Sequence, residues 1–510
     1  MKAGLILLLT AFALLLHSQS LDQPRIPKTW DDAALADWAT PVAGLNVRPT
    51  HISAKEYYSL SVENLRTYPV YFPGREPEGY WEMLQHVGPK PLIQPETLRT
   101  EADWIQAGRT VFDEADDLHL RTFDPKFIAE ARDRKSLEQA RTRPLADGTV
   151  FGMRWVPTKQ GVALTFSNCS FCHVRYLPNG IRVPGAPFTT IAPRPPETFR
   201  IWPLISRVQL DQRVLVGVPP FFMASEPIGV RLFRAYGVPW RRGDVNERLK
   251  SFTQAEYETF DLAFRSSGGI ARWNGSLFYP AKIPDLIGIK DRKYIDHTAT
   301  HLHRGIGDLM RYAALVSFAD SADFGPYHML SPETKRVQAR LPDEALYALA
   351  LYIYSLKPPP NPNLVNEQAM AGEKIFAREG CPNCHTPPLY TSNKLTLALG
   401  FTAPSDKPAS LDVLPISVGT DAGLALSTRK GTGYYKVPSL KGVWYRGHYL
   451  HDGSAASLEE MFDPDRLKET HVAGGYRPPG VDARAIKGHE FGLSLTPQER
   501  EQLIVFLRTL

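Results

Sequence analysis

Cysteine is scarce in this chain, with four residues in 510, so a disulfide scaffold is excluded. Long apolar runs are also missing. The longest, from Gly4 to Leu16, is too short to span a bilayer as a helix, and no later segment qualifies. Charge of one sign is not concentrated either. Lys and Arg outnumber Asp and Glu by 59 to 54, a formal net charge of +5, without a dense basic run that would suggest nucleic acid as a partner. What is abundant is proline, whose 44 residues predict long irregular connections. A hydrophobic fraction of 43% with 11% aromatics argues for ordered cores, and the length leaves room for two or three domains.

The N-terminus has the layout of a secretory signal peptide over residues 1–20. Lys2 precedes the apolar run, and His17-Ser18-Gln19-Ser20 supplies a small polar stretch suited to cleavage. The mature chain is therefore expected to be periplasmic or secreted, with no stable membrane insertion.

All four cysteines fall in two copies of one pattern, Cys169-Ser170-Phe171-Cys172-His173 and Cys381-Pro382-Asn383-Cys384-His385. Two thiols at this spacing reach the two vinyl groups on one edge of a porphyrin. The adjacent histidine then lies beneath the ring as an iron ligand. Zinc would not explain why His follows the second Cys directly in both copies. A redox dithiol would need a thioredoxin-like unit, which the sequence does not show. The expected cofactors are thus two covalently bound c-type haems, with Cys169, Cys172, Cys381 and Cys384 as attachment points and His173 and His385 as iron ligands.

The surroundings of the motifs are duplicated. Gly108 and Phe112 repeat the spacing of Gly372 and Phe376, where glycine permits close approach of another helix. The segment from Leu341 to Leu356 repeats the closing segment from Leu495 to Leu510, displaced by 154 positions. Ile283-Pro284, Leu286, Gly288, Arg292 and His297 match Val437-Pro438, Leu440, Gly442, Arg446 and His451 at the same displacement. This layout resembles the cytochrome c fold, in which the first and last helices cross beside the haem. The expected fold is mainly α, with two tandem cytochrome c-like haem domains. Residues 21–100 form an N-terminal extension and 101–356 the first domain, enlarged by long irregular insertions. Residues 357–363 form a Pro-rich linker, and 364–510 the compact second domain.

Two such domains, with Lys436-Val437-Pro438-Ser439-Leu440 leading to Tyr449-Leu450-His451-Asp452-Gly453, resemble the bacterial di-haem cytochrome c peroxidase superfamily. That superfamily includes methylamine dehydrogenase maturation enzymes and haem-dependent rubber oxygenases. The resemblance implies an electron-handling, six-coordinate C-terminal haem and a reactive N-terminal haem. For the sixth ligand of the second haem the leading candidate is His489, ahead of Met461 and His471. In the first domain Lys335 stands at the matching offset, which fits an open iron trans to His173. His297, His301, His303 and Met310 lie in the paired loop and could cap that iron, but are rather expected to pack, to hydrogen-bond a haem propionate or to be exposed. The resemblance also implies a tryptophan relay between the haems, for which Trp273 is the candidate. Calcium between the domains is left open, because the loop departs from the family pattern at Arg446-Gly447-His448.

The implied activity is peroxidase-like. A small redox protein, such as a cytochrome c or cupredoxin, would donate electrons for reduction of hydrogen peroxide. Two other functions remain open at this point. One is an oxygenase using dioxygen on an organic substrate, with Phe221-Phe222-Met223 lining its pocket. The other is an electron carrier without catalysis.

Overall fold

The computed structural model describes residues 24–43, 49–116, 121–139, 144–166, 169–188, 268–270, 278–318, 322–324, 327–328, 339–428 and 431–510, with isolated positions between 248 and 263. The leader, Phe221-Phe222-Met223, Trp273 and Lys335 lie outside the described residues.

Five helices carry the architecture: α1 (Glu101–Glu114), α2 (Ile306–Phe318), α3 (Asp343–Ser355), α4 (Glu367–Arg378) and α5 (Pro497–Thr509). Helix α1 starts on a capping box made by Thr100 and Asp103, and α5 on one made by Thr496 and Glu499. Helix α1 packs on α3, and α4 on α5. The two crossings are alike in detail. A Cβ on Gly108 would lie 1.9 Å from the Ala348 carbonyl oxygen, and one on Gly372 would lie 2.0 Å from that of Gln502. Ala348 and Gln502 are themselves 154 positions apart. Phe112 meets Tyr352 with ring centroids 5.3 Å apart, and Phe376 meets Phe506 at the same distance. Glycine is needed at both points because backbone touches backbone.

The expectation of a mainly α protein needs correction. Among the described residues helix accounts for 36% and strand for 15%, a mixed fold. The two longest strands lie between α1 and the first Cys-x-x-Cys-His motif. There β2 (Thr149–Thr158) and β3 (Gly161–Phe166) form a hairpin, and β1 (Tyr68–Tyr71) pairs antiparallel with β2. The alternation of buried Met153 and Trp155 along β2 is a period-2 signal that the proline-rich composition obscured. The extension does not stand apart from the rest. Trp30, Trp38 and Tyr57 are buried in one core with Phe112, Leu349 and Ile353. In the second half, β4 (Leu395–Leu397) lies between β5 (Val413–Ser417) and β6 (Tyr434–Lys436). A separate core there gathers Phe376, Met461, Leu503 and Phe506 around α4 and α5. Among the described residues no helix is long and apolar enough to cross a membrane.

Candidate functional site

Both cysteine motifs begin with the same local backbone. The His173 amide donates to the Cys169 carbonyl at 2.9 Å, and the His385 amide to that of Cys381 at 2.8 Å. Each motif thus closes on a tight turn, and in the second both cysteines and the histidine line one cavity, as attachment to a planar macrocycle requires. Burial pushes the Cys381 thiol up to about 11, so it is a neutral, packed side chain rather than a reactive thiolate.

The second motif opens onto a cavity lined by Cys381, Cys384, His385 and, on its far wall, His489. The rings of His385 and His489 stand with centroids 6.3 Å apart. With metal–imidazole bonds of about 2 Å, two rings capping one metal from opposite sides have centroids roughly 6 Å apart. The residues present therefore fit an iron between them. His385 uses Nδ1 on the Pro438 carbonyl at 3.1 Å and the Tyr390 carbonyl at 3.3 Å, which leaves Nε2 to face the cavity. Burial holds His385 below the ordinary histidine value and takes His489 down to about 4, helped by the neighbouring His385 and Arg466. Both imidazoles are thus neutral at physiological pH, the form that ligates metal.

His489 is held unusually firmly. Its backbone has φ +50°, a left-handed conformation that costs a non-glycine residue roughly 1–3 kcal/mol. The preceding Gly488 lies against Thr420, where a Cβ would come 2.2 Å from the backbone nitrogen. Arg466, fully buried, donates to the carbonyls of Gly488 at 2.9 Å and His489 at 2.8 Å, and also to those of Met461 and Ile486. Met461 lines the same cavity. His471 does not, because its Nε2 is paired with Glu460 at 2.8 Å. Arg466 was not legible as a site residue in the sequence, where a lone arginine carries no signal.

The first motif is clamped by the inserted hairpin. Phe171, inside the motif, stacks on Phe151 with centroids 5.5 Å apart, and Gly152 passes so close that a Cβ would meet the Phe171 ring at 2.5 Å. Burial takes His173 down to about 4, partly offset by the Pro284 carbonyl, although Nδ1 has no hydrogen bond of regular geometry. Pro284 stands 154 positions before Pro438, so equivalent carbonyls back both histidines. The histidines of the paired loop are occupied elsewhere. His297 Nε2 meets the Lys282 carbonyl at 2.8 Å, and His301 meets Thr300 and His51. His303 bridges the Arg292 carbonyl and the Tyr354 hydroxyl. Met310 is fully buried in the first core.

No protein-family model matches the chain. A stretch of 166 residues is 28% identical to the cytochrome-c peroxidase IdrP1 of Denitromonas iodatirespirans, covering 29% of this chain and 41% of that protein. A stretch of 147 residues is 26% identical to the methylamine utilization protein MauG of Methylorubrum extorquens, covering 29% of this chain and 35% of that one. The matches thus span less than half the length of either relative. Among solved structures, the hydrazine synthase of Kuenenia stuttgartiensis aligns with a TM-score of 0.26 at 18% identity, over 46% of this chain and 73% of that one. A MauG-like protein associated with microbial copper homeostasis aligns with a TM-score of 0.27 at 20% identity, over the same shares. Those scores carry no argument about the fold. Over these stretches the chain, which carries two Cys-x-x-Cys-His motifs, is similar to a cytochrome-c peroxidase and to MauG.

Proposed function

We propose that the chain is an exported di-haem c-type oxidoreductase of the peroxidase kind, with a six-coordinate haem on the second motif and a reactive haem on the first. The opposition of His385 and His489 across one cavity is the observation that carries this reading. Each haem, when bound, supplies one-electron chemistry at its iron, and an iron with a free side can also bind peroxide.

The chain's own contribution differs between the halves. In the second, Pro438 and Tyr390 fix the tautomer of His385, and Arg466 fixes the strained loop of His489. Both ligands are therefore set before any change of charge, as fast electron transfer needs. In the first, His173 is offered from one side, while His297, His301 and His303 are committed to other partners. Among the described residues, none of these three is then free to cap the opposite side, which on this reading would take a small oxidant. The hairpin residue Phe151 stacks on Phe171 of the motif and so packs the motif against the sheet. Electrons from a small redox protein would then pass from the second half to the first. Trp273 remains the proposed relay.

The test is optical and magnetic spectroscopy of the ferric protein. One low-spin centre that ignores cyanide, beside one centre that binds it, is the expected result. The same preparation should consume hydrogen peroxide when supplied with a reduced small cytochrome. A stable ferrous–dioxygen adduct with no peroxide turnover would favour an oxygenase instead.

A further inference from the structure

The two halves are tied by a reciprocal exchange that centres on a pair of lysines. Lys282 and Lys436 stand 154 positions apart, at equivalent points of the duplication. The Lys282 amide donates to the His451 carbonyl at 2.7 Å, and the Lys436 amide to the His297 carbonyl at 2.9 Å. His297 and His451 are themselves equivalent. The side chains cross in the same manner. Lys282 Nζ donates to the carbonyls of Arg446 and His448, and Lys436 Nζ to those of Tyr294 and Ile295. Each half therefore inserts a cation into the backbone of the other.

These lysines are not alone. Arg292 and Arg446 share Asp285, at 3.3 and 3.6 Å, and Arg175 donates to the Gly447 carbonyl. The described carboxylates facing Lys282 and Lys436 are Asp285 and Asp296. Five cationic side chains thus meet two carboxylates in a region shielded from bulk water. Burial first, and then the neighbouring arginines, push both lysines down to about 7. Uncompensated cations inside a protein are costly, and beside the described carboxylates this cluster has the charge to take further anions. Lys282, Arg292, Lys436 and Arg446 also line the cavity of Cys381, Cys384, His385 and His489.

We infer that the Lys282–Lys436 cluster is the seat of the propionate carboxylates of the haem on the second motif, so that cations from both halves set its potential. This rests on the di-haem reading above. The lysines then do more than pin the halves together. A cation at a propionate disfavours the ferric state, so removing it lowers the reduction potential.

The test uses the full holoprotein, with haem counted by the haemochrome assay and potentials read by spectroelectrochemistry. Lys282→Gln and Lys436→Gln keep a donor for the opposing carbonyls but remove the charge. Each should shift the reduction equilibrium of one haem at least tenfold towards the ferric form, which is 59 mV for a one-electron couple. Lys436→Arg should stay near the parent value. Resonance Raman bands of the propionates in the unaltered protein give a readout that needs no variant. Hydrogen-bonded, ion-paired carboxylates are expected there. Two haems per chain, with unmoved potentials in both Gln variants or with free propionate bands, would overturn the inference and leave structural pins. Fewer than two haems would overturn the di-haem reading along with it.

Discussion

At the residue scale, His489 combines features that rarely coincide without a purpose. It has a left-handed backbone, a buried ring, a buried arginine bonded to its carbonyl and a second imidazole 6.3 Å away. Replacing it by alanine should convert the second haem from low spin to a form that binds cyanide, measured by optical titration. If Met461 were the ligand instead, His489→Ala would leave that spectrum unchanged. His489→Met should keep the haem six-coordinate and raise its potential, since thioether ligation favours the ferrous state. The alternatives in the sequence narrowed for a physical reason: the His471 ring is spent on Glu460. Met461 was harder to separate, because a buried methionine beside a cavity serves equally as packing. Replacing both cysteines of one motif by alanine, Cys169→Ala with Cys172→Ala or Cys381→Ala with Cys384→Ala, should remove one covalent haem, read as a loss of its mass by intact-protein mass spectrometry.

At the scale of elements, the two helix crossings were legible because they follow from elementary spacing. A glycine and an aromatic four residues apart on one helix face, opposite an amphipathic closing helix, leave few ways to pack. The structure adds that the contact is backbone against backbone at Gly108 and Gly372. Gly372→Ala should therefore destabilise the second half by about 1–3 kcal/mol through overpacking, seen as a lower unfolding temperature. Gly108→Ala should do the same in the first. A loss confined to one of the two would contradict their equivalence. The β1–β2–β3 sheet was not legible in the same way. Its strands come from the extension and the insertion, brought together from positions such as Tyr68 and Trp155, and no local pattern announces so distant a pairing.

At the scale of the whole molecule, the duplication explains why the halves share parts. Equivalent prolines back His173 and His385, and equivalent lysines cross between the halves. The sequence showed the repeat at 154 positions, but not that its lysines exchange partners, because reciprocity appears only once the halves face each other. On the proposed reading, this asymmetry would give electron flow its direction. His489 supplies the second half with an imidazole opposite His385, whereas the paired-loop histidines of the first are engaged with their own surroundings. The central claim is therefore two haems of unequal coordination in one chain. It is tested most directly by low-temperature electron paramagnetic resonance of ferric protein shown to carry two haems, before and after cyanide. The account predicts one high-spin and one low-spin signal, with only the high-spin signal replaced on adding cyanide. Two low-spin signals that cyanide leaves untouched would contradict it.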